Sequence, residues 1–291
     1  MLATIGKTSI TYDEKNVKIM GIVNLSPESF YRNSIKLKEN EIQDTVIEME
    51  NSGVDIIDVG GMSTAPYLNT LIPADVEQKR LFEAISAIRQ ISDIPISVDT
   101  MRSSVVRGLL NLDINAINDV TGLKYDKKMP KLAFENNLPV IICSYASETE
   151  QYSIFGDIHD TLSLIGSSIR IAQAFNIKTE NLIIDPSIGF FRNTGNNPFY
   201  SRIKGLDWYV RDMEIISNFQ KLKFLRMPIC VSISRKSFLK SLFNLDAEER
   251  LIPSIIAEMH CAINGASLLR THNVKETRQA LDMMELLYKN K

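Results

Sequence analysis

The sequence has few of the residues that mark secreted, thiolate-bound or membrane proteins. Its three cysteines, Cys143, Cys230 and Cys261, are far apart and form no C-x-x-C pair, which argues against a disulfide framework and a thiolate zinc site. Only three histidines occur, too few for a histidine-rich metal centre. The N-terminus lacks the apolar run of a signal peptide, and no stretch reaches the ~18 apolar residues of a membrane span. We therefore expect a cytoplasmic protein.

The chain also lacks an excess of charge of either sign. Its 33 basic and 35 acidic residues give a net charge of −2, so bulk electrostatics favour neither nucleic acid nor an anionic membrane. An anionic substrate would need local cationic groups instead. The hydrophobic share of 44% over 291 residues is typical of a globular protein with a large core.

Eight short, nearly continuous apolar runs recur along the chain. They cover residues 17–24, 54–60, 94–99, 114–119, 138–144, 181–186, 228–233 and 266–272. Such runs are typical of parallel strands that are buried on both faces. Helical patterns occupy residues 39–53, 74–91, 160–177, 246–266 and 273–288. Pro253 is expected to begin or kink the helix within 246–266.

This alternation of strands and helices predicts an α/β fold, a (β/α)8 TIM barrel formed by one domain over residues 1–291. A doubly wound open sheet is the alternative. No G-x-G-x-x-G turn follows the first strand, which counts against a dinucleotide-binding sheet. Residues 3–15 are interpreted as a short N-terminal hairpin that covers the N-terminal end of the barrel.

Polar side chains follow the strand ends around the whole predicted barrel, where the active sites of this architecture lie. They are Asn24, Asp58, Asp99, Asn118, Asp119, Ser144, Asp185, Arg235, Lys236, Arg270 and His272. A carboxylate after a buried strand costs free energy unless a partner compensates its desolvation. One such residue is commonly a cap, but several on one rim indicate a binding site.

The residue types on this rim indicate what it binds. The carboxylates and amide of Asp99, Asn118 and Asp185 suit a donor-rich heterocycle, because a carboxylate accepts two parallel N–H bonds. The basic residues at the last two strand ends suit an anion such as phosphate. No nucleophile with a neighbouring base stands out. A hard ion such as Mg²⁺ would need only one protein oxygen in addition to substrate phosphates.

Some of these residues also have a structural interpretation. Asp58 is interpreted as the cap of a tight turn at Gly60-Gly61. Asp119 either caps the following loop or joins the site. Phe190 and Phe191 either pack in the core or wall a flat ring.

Seven segments, in order along the chain, resemble the signatures of the dihydropteroate synthase family. They are IMGIVNLSPESF (19–30), DIIDVGGMSTAP (55–66), PISVDT (95–100), INDV (117–120), IIDPSIGF (183–190), ISRKSF (233–238) and LLRTHNVKET (268–277). One such segment would be weak evidence, but the ordered set is specific for pterin-binding barrels. The S-R-K-S segment is similar to the synthases rather than to the related methyltransferases.

The resemblance implies a transferase of folate or related pterin biosynthesis that is a homodimer and uses Mg²⁺. It would condense 6-hydroxymethyl-7,8-dihydropterin pyrophosphate with p-aminobenzoate or a modified arylamine and release pyrophosphate. The implied pterin-binding residues are Asp99, Asn118, Asp185, Phe190 and Lys236, of which Asp99 and Lys236 are also catalytic. The implied pyrophosphate-binding residues are Asn24, Arg270 and His272, and Asn24 is also the implied Mg²⁺ ligand. The implied arylamine-binding residues are Thr64, Arg235 and Ser237.

That reaction agrees with the absence of a nucleophile. Loss of pyrophosphate leaves positive charge on the exocyclic methylene and the ring, and a carboxylate at Asp99 would stabilise it. Basic groups and Mg²⁺ would neutralise the departing anion.

The chain departs from the family pattern mainly in its loops. The first loop has no glycine, Ala65 replaces an arginine, Arg192 lies near a usual lysine, and Asn273 replaces the aspartate after His272. Arg32 is a hypothetical substitute for the missing arginine. Two alternatives remain open: a methyl-tetrahydropterin methyltransferase, and a catalytically silent pterin-binding paralogue. The segment 192–206 is expected to extend over the rim, and its Gly and Asn content favours mobility.

Overall fold

The computed structural model describes residues 2–12, 16–27, 38–150 and 154–288. Its strands are β1 (Leu2–Ile5), β2 (Thr8–Thr11), β3 (Lys18–Asn24), β4 (Ile56–Gly60), β5 (Ile96–Asp99), β6 (Ala116–Asp119), β7 (Val140–Cys143), β8 (Leu182–Asp185), β9 (Phe191–Arg192), β10 (Ser201–Arg202), β11 (Cys230–Ser232) and β12 (Leu268–Thr271). Its α-helices are α1 (Glu39–Asn51), α2 (Ala74–Arg89), α3 (Ser103–Arg107), α4 (Met129–Glu135), α5 (Ile158–Ala174), α6 (Trp208–Ser217), α7 (Phe238–Phe243), α8 (Leu251–Ile263) and α9 (Val274–Tyr288).

Eight parallel strands form a nearly closed barrel, which confirms the predicted fold. Their order is β11-β12-β3-β4-β5-β6-β7-β8. A bridge between Ile184 and Ile229 joins the two edge strands, with the Ile184 amide donating to the Pro228 carbonyl at 3.0 Å. All four residues of β8 are buried, as expected of a parallel strand that is covered on both faces. All eight predicted strands are present.

The N-terminal hairpin closes the N-terminal end of this barrel, as the sequence predicted. β1 and β2 pair antiparallel around a turn at Gly6, whose φ of +55° favours glycine. Ile5 and Ile10 are fully buried. They share one apolar cluster with Met20 of β3 and Ile183 of β8. The hairpin therefore leaves the opposite, C-terminal end as the place for a site.

The five predicted helices are present, and Pro253 lies in the first turn of α8, where proline is tolerated. The short helices α3, α4, α6 and α7 were missed. They have five, seven, ten and six residues, too short for a helical period to emerge from the sequence. Within the described ranges, no helix combines the length and the apolarity that crossing a bilayer requires.

The segment 192–206 packs against the loop after β4. The Asn196 amide donates to Pro66 O at 2.7 Å, and the Asn197 side chain donates to Ala65 O at 2.6 Å. A Cβ at Gly195 would lie 2.9 Å from Pro66 O, so glycine permits this close approach. The asparagines that suggested mobility therefore attach the two loops to each other. Arg32, the hypothetical substitute cation, lies outside the described residues.

Candidate active site

A cavity lies at the C-terminal end of the barrel and collects most of the predicted site residues. Those that line it are Asn24, Thr64, Asp99, Phe190, Lys236, Ser237, Arg270 and His272. Asn118 and Asp185 are buried and do not line it. Arg235 does not line it either, whereas Arg192 does.

Arg270 is the centre of the largest charge network in the cavity. Its Nε donates to Asp58 Oδ2 at 2.6 Å, and its Nη2 donates to Asp99 Oδ2 at 2.8 Å. Asn118 Nδ2 donates to the same Asp58 oxygen at 3.1 Å. Hydrogen bonds to charged groups are stronger than neutral ones. The network therefore fixes the positions of one guanidinium and two carboxylates before any ligand binds.

Burial and neighbouring charge have opposite effects on the pKa values of Asp99 and Arg270. Burial raises the pKa of Asp99 to about 7, although Arg270 opposes that shift. Burial disfavours the charge on Arg270, but the carboxylates of Asp58 and Asp99 outweigh it and raise the pKa of the guanidinium. Asp99 therefore gains or loses its proton near neutral pH, while Arg270 stays charged.

Asp58 has a different role from the one predicted. It was interpreted as the cap of the turn at Gly60-Gly61, but its Oδ2 accepts from Arg270 and Asn118. Asp58 is fully buried within β4, where only a compensating cation makes a carboxylate tolerable. An Asp in the middle of an apolar five-residue run was the sequence signal for this role. Asp119, in contrast, is confirmed as a loop cap, because it accepts from the Thr121 and Leu123 amides.

Lys236 also lines the cavity. Its Nζ donates to the carbonyl of Ile188 and lies 4.4 Å from the centroid of the Phe190 ring. A Cβ at Gly189 would lie 2.8 Å from Lys236 Cδ, so the lysine stem passes where only glycine leaves room. Burial lowers the pKa of Lys236 to about 8, and Asp185 opposes the shift.

Asp185 ends β8 and keeps part of its carboxylate available. Its Oδ1 accepts from the Ser187 amide at 2.6 Å. Among the described residues, no donor lies within hydrogen-bonding distance of Oδ2. Burial raises the pKa of Asp185, and the charge of Lys236 opposes that shift. A ligand with N–H donors could therefore bond to the carboxylate without displacing a protein group.

Phe190 and Phe191 have different positions. Phe190 lines the cavity, where it can wall a flat ring. Phe191 is fully buried under the Arg211 guanidinium, whose carbon lies 3.7 Å from the ring centroid. The two interpretations left open by the sequence thus apply to one residue each.

His272 and Asn24 also line the cavity. Burial, together with the charges of Arg270, Arg235 and Lys236, lowers the pKa of His272 to about 3. The imidazole is therefore neutral near pH 7, and it would bind an anion by hydrogen bonding rather than by charge. Its Nδ1 lies 3.1 Å from Ser234 Oγ.

A metal ion would find one protein oxygen at this place. Among the described residues, no three His, Cys, Asp or Glu side chains are grouped to hold a metal. Asn24 contributes a neutral side-chain oxygen, which accepts from the Ser26 amide at 3.0 Å. Such a donor set fits Mg²⁺ if phosphate oxygens and water supply the other ligands.

The structure places the Arg235 guanidinium outside the cavity. Its Nε donates to Asn273 Oδ1 at 2.9 Å, and its Nη1 donates to the carbonyls of Ala247 and Glu248 at 2.8 and 2.9 Å. Arg235 thus holds the start of α9 and the segment before α8. Asn273 departs from the aspartate of the family pattern. Its neutral side-chain oxygen is sufficient to accept the hydrogen bond from Arg235.

Arg192 is the cation that the structure adds to the site. Its Nη2 donates to Ser237 Oγ at 2.7 Å. Its guanidinium carbon lies 3.3 Å from the Trp208 ring centroid and 5.5 Å from that of Tyr67. Thr64 and Ser237 line the same cavity. The sequence marked Arg192 only as a departure from a pattern, and its contacts with residues distant in the chain were not predictable.

Comparisons with known proteins point to one family. The model of the pterin-binding enzyme family matches residues 20–272. A dihydropteroate synthase of Clostridium beijerinckii is 33% identical over 92% of this chain and 93% of the relative. The dihydropteroate synthase of Escherichia coli K12 is 30% identical over 94% of this chain and 92% of the relative.

Solved structures show the same fold. A dihydropteroate synthase of Coxiella burnetii in complex with pteroic acid has a TM-score of 0.81 and 27% identity, with 100% of both chains covered. The Yersinia pestis dihydropteroate synthase in complex with a sulfonamide drug has a TM-score of 0.85. It covers 100% of both chains at 24% identity, and at that identity the likeness concerns the fold alone.

Removal of the Arg270 guanidinium should destabilise the protein. Arg270→Met leaves the Asp58 and Asp99 carboxylates without their cation, and such losses cost about 3–5 kcal/mol. Arg270 opposes the burial that raises the pKa of Asp99, so without Arg270 that pKa rises further, and the deficit should be largest at alkaline pH and shrink as the pH falls. Urea unfolding at about pH 8 and about pH 5.5 measures both effects.

Arg278→Met is the matched control, because Arg278 forms a more exposed ion pair with Asp55 at 2.9 Å. Its loss should cost no more than about 1 kcal/mol. Equal effects of the two substitutions, or a pH-independent deficit for Arg270→Met, would contradict the assigned role of the network.

Proposed function

The chain belongs to the pterin-binding enzyme family, and from that premise we propose that it is a dihydropteroate synthase. It condenses 6-hydroxymethyl-7,8-dihydropterin pyrophosphate with p-aminobenzoate or a modified arylamine and releases pyrophosphate. The observation that carries the proposal is the Asp185 carboxylate, which stands buried at a strand end with Oδ2 free of donors from the described residues.

The pterin is held by its hydrogen-bonding edges. Asp185 accepts from the 2-amino group and the adjacent ring N–H, since a carboxylate suits two parallel donors. Asn118 bonds beside it, and Lys236 donates to the acceptor side of the ring. Phe190, next to the Lys236 ammonium, covers one face of the ring.

The reaction breaks the bond from the exocyclic methylene to the pyrophosphate oxygen and forms a bond from that carbon to the arylamine nitrogen. The electron pair of the broken bond leaves with pyrophosphate, and the new amine loses one proton to water. Positive charge develops on the methylene and the ring during this exchange. Asp99, in its ionised form, stabilises that charge, and the carboxylate is already fixed by Arg270.

Pyrophosphate binds on the side of Asn24, Arg270 and His272. Arg270 supplies charge, while the neutral imidazole of His272 supplies a hydrogen bond. Asn24 is the proposed ligand of Mg²⁺, which when bound would neutralise the departing anion. The Arg270 guanidinium donates to Asp99, which contacts the pterin, and its charge also attracts pyrophosphate. Arg270 therefore links the binding of the two groups.

The assembly proposed for the protein is a homodimer. An apolar face, formed by Ile252, Ile256 and Ile263 of α8 and by Met283, Leu286 and Leu287 of α9, is exposed. The α8 residues are spaced by four and seven positions and so share one side of the helix. Exposed apolar patches of this kind mark contact surfaces, and a second copy of the chain is the occupant proposed here.

Replacement of Asp185 tests the pterin site. Asp185→Asn can keep the bond from the Ser187 amide but loses the charge, so the affinity for 6-hydroxymethylpterin should fall about 10- to 100-fold. Titration calorimetry measures it, with the exposed Asp282→Asn as a matched control. Unaltered affinity in Asp185→Asn would contradict the proposal.

The activity itself is tested by pyrophosphate release in a screen of arylamines with pterin pyrophosphate and Mg²⁺. Release that requires both substrates supports the synthase. Methyl transfer from a reduced methyl-pterin to a corrinoid would indicate the methyltransferase. Pterin binding with neither product would indicate the silent paralogue.

The pH dependence of kcat/KM should follow the two perturbed groups of the free protein. Asp99 acts when ionised, so activity should rise with pH through about 7. Lys236 acts when protonated, so activity should fall above about 8. The maximum is therefore expected between these values. A flat profile from about pH 6 to about pH 9 would contradict the assigned ionisation states.

The dimer is tested by a charge on its apolar face. Ile256, 65% exposed, becomes a buried charge at the interface in Ile256→Glu, so sedimentation should show a shift from dimer to monomer. Phe134→Glu, at an exposed apolar residue of α4, should leave the mass unchanged. A monomeric parent protein would refute the proposed assembly.

A further inference from the structure

We propose that Arg192 recognises an acidic group on the acceptor, so that this protein selects arylamine carboxylates over neutral arylamines. The inference rests on the proposed synthase function and names a specificity residue within its site. Arg192 takes the place on the arylamine side that the sequence had assigned to Arg235.

The surroundings of Arg192 hold the guanidinium in one position. The Ile203 amide donates to the Arg192 carbonyl at 3.0 Å, and β9 pairs with β10 beside it. The side chain lies against the Trp208 ring, which does not line the cavity, and donates to Ser237, which does. Trp208 therefore backs the guanidinium, and Ser237 anchors it at the cavity wall.

The guanidinium has unused donor capacity. Arg192 is 6% exposed, and its Nε is buried without a hydrogen-bond partner. Across the described ranges, no carboxylate forms an ion pair with it, and the charge that acts most strongly on its pKa, Asp212, is already paired with Arg211 at 3.1 Å. Buried donors and buried charges without partners are costly. A ligand carboxylate could supply the counter-charge that these protein residues do not.

The other cationic groups near the cavity already have protein partners. Arg270 is bonded to Asp58 and Asp99, and Lys236 donates to a carbonyl near Asp185. Arg192 differs from them because its contacts are a hydroxyl and two aromatic faces, and the Asp212 carboxylate, which influences its pKa, forms its ion pair with Arg211 instead. Of these three cationic groups, Arg192 would therefore form the most favourable ion pair with an anionic group on the acceptor.

The chemistry of the side chain fits a carboxylate in particular. A guanidinium presents several N–H donors in a rigid plane that matches the two oxygens of a carboxylate. Burial lowers the pKa of Arg192 to about 10, so it remains charged at neutral pH. Tyr67 and Phe190 line the same cavity and offer apolar surfaces to an aryl ring.

The test compares p-aminobenzoate with its neutral analogue p-aminobenzamide. In the presence of 6-hydroxymethylpterin, pyrophosphate and Mg²⁺, Arg192→Met should weaken p-aminobenzoate binding about 10- to 100-fold. Binding of p-aminobenzamide should change less than about threefold, because it offers no charge. Arg192→Lys should recover part of the affinity for the carboxylate. Titration calorimetry reads all three without requiring turnover.

Arg202→Met is the matched control, because Arg202 is the register partner of Arg192 on β10 and is exposed. It should leave both affinities unchanged. The inference is overturned if Arg192→Met weakens both acceptors equally, if it leaves p-aminobenzoate unaffected, or if the parent protein does not bind p-aminobenzoate. A selective loss of pyrophosphate binding would also overturn it, since Arg192 would then serve the leaving group.

The binding experiment separates this inference from the proposed function. Charge-selective acceptor binding that depends on Arg192, with no pyrophosphate released, would sustain the inference while the synthase activity fails. Pyrophosphate release with neutral and acidic arylamines alike, unaffected by Arg192→Met, would sustain the synthase activity while the inference fails.

Discussion

The candidate site depends on the placement of one guanidinium between two buried carboxylates. Arg270 on β12 reaches across β3 to Asp58 on β4 and Asp99 on β5. A carboxylate that is fully buried, as Asp58 is, is tolerable only beside a cation. The barrel supplies that cation from a residue 212 positions away in the chain. The charges of the candidate site are therefore in position without a ligand, which is the arrangement that the proposed electrostatic catalysis requires.

The same balance of charges explains how the ligand side is arranged. Lys236 and Asp185 face the same region, and each influences the pKa of the other, yet neither uses all its hydrogen-bonding capacity on the protein. Asp185 accepts from the protein only at Oδ1, and Lys236 donates one hydrogen bond to the carbonyl of Ile188. The protein thus holds the two groups apart, so that a flat polar ring can satisfy both edges at once.

The departures from the family pattern are concentrated in segments that the structure joins to each other. Asn197 bonds the carbonyl of Ala65, so the loop that carries Ala65 is attached to the loop after β9. Asn273 accepts from Arg235, which turns that arginine away from the cavity. Arg192 brings a guanidinium to the wall near Ser237. These contacts indicate that the departures lie on the side proposed for the acceptor, while the side proposed for the pterin keeps the residues of the family pattern.

The sequence by itself determined the barrel, the end at which the site lies, and the residues at most strand ends. Eight apolar runs, each long enough for a strand and separated by helical patterns, leave few other topologies. It did not determine the short helices, whose few residues show no period. Nor did it determine where long side chains point. Arg192 lies in β9 and Arg235 follows β11, yet only Arg192 lines the cavity, because its partners, Trp208 and Ser237, are brought to it by folding. The role of Asp58 was decided in the same way, since its partners Asn118 and Arg270 are distant in sequence and adjacent only in the closed sheet.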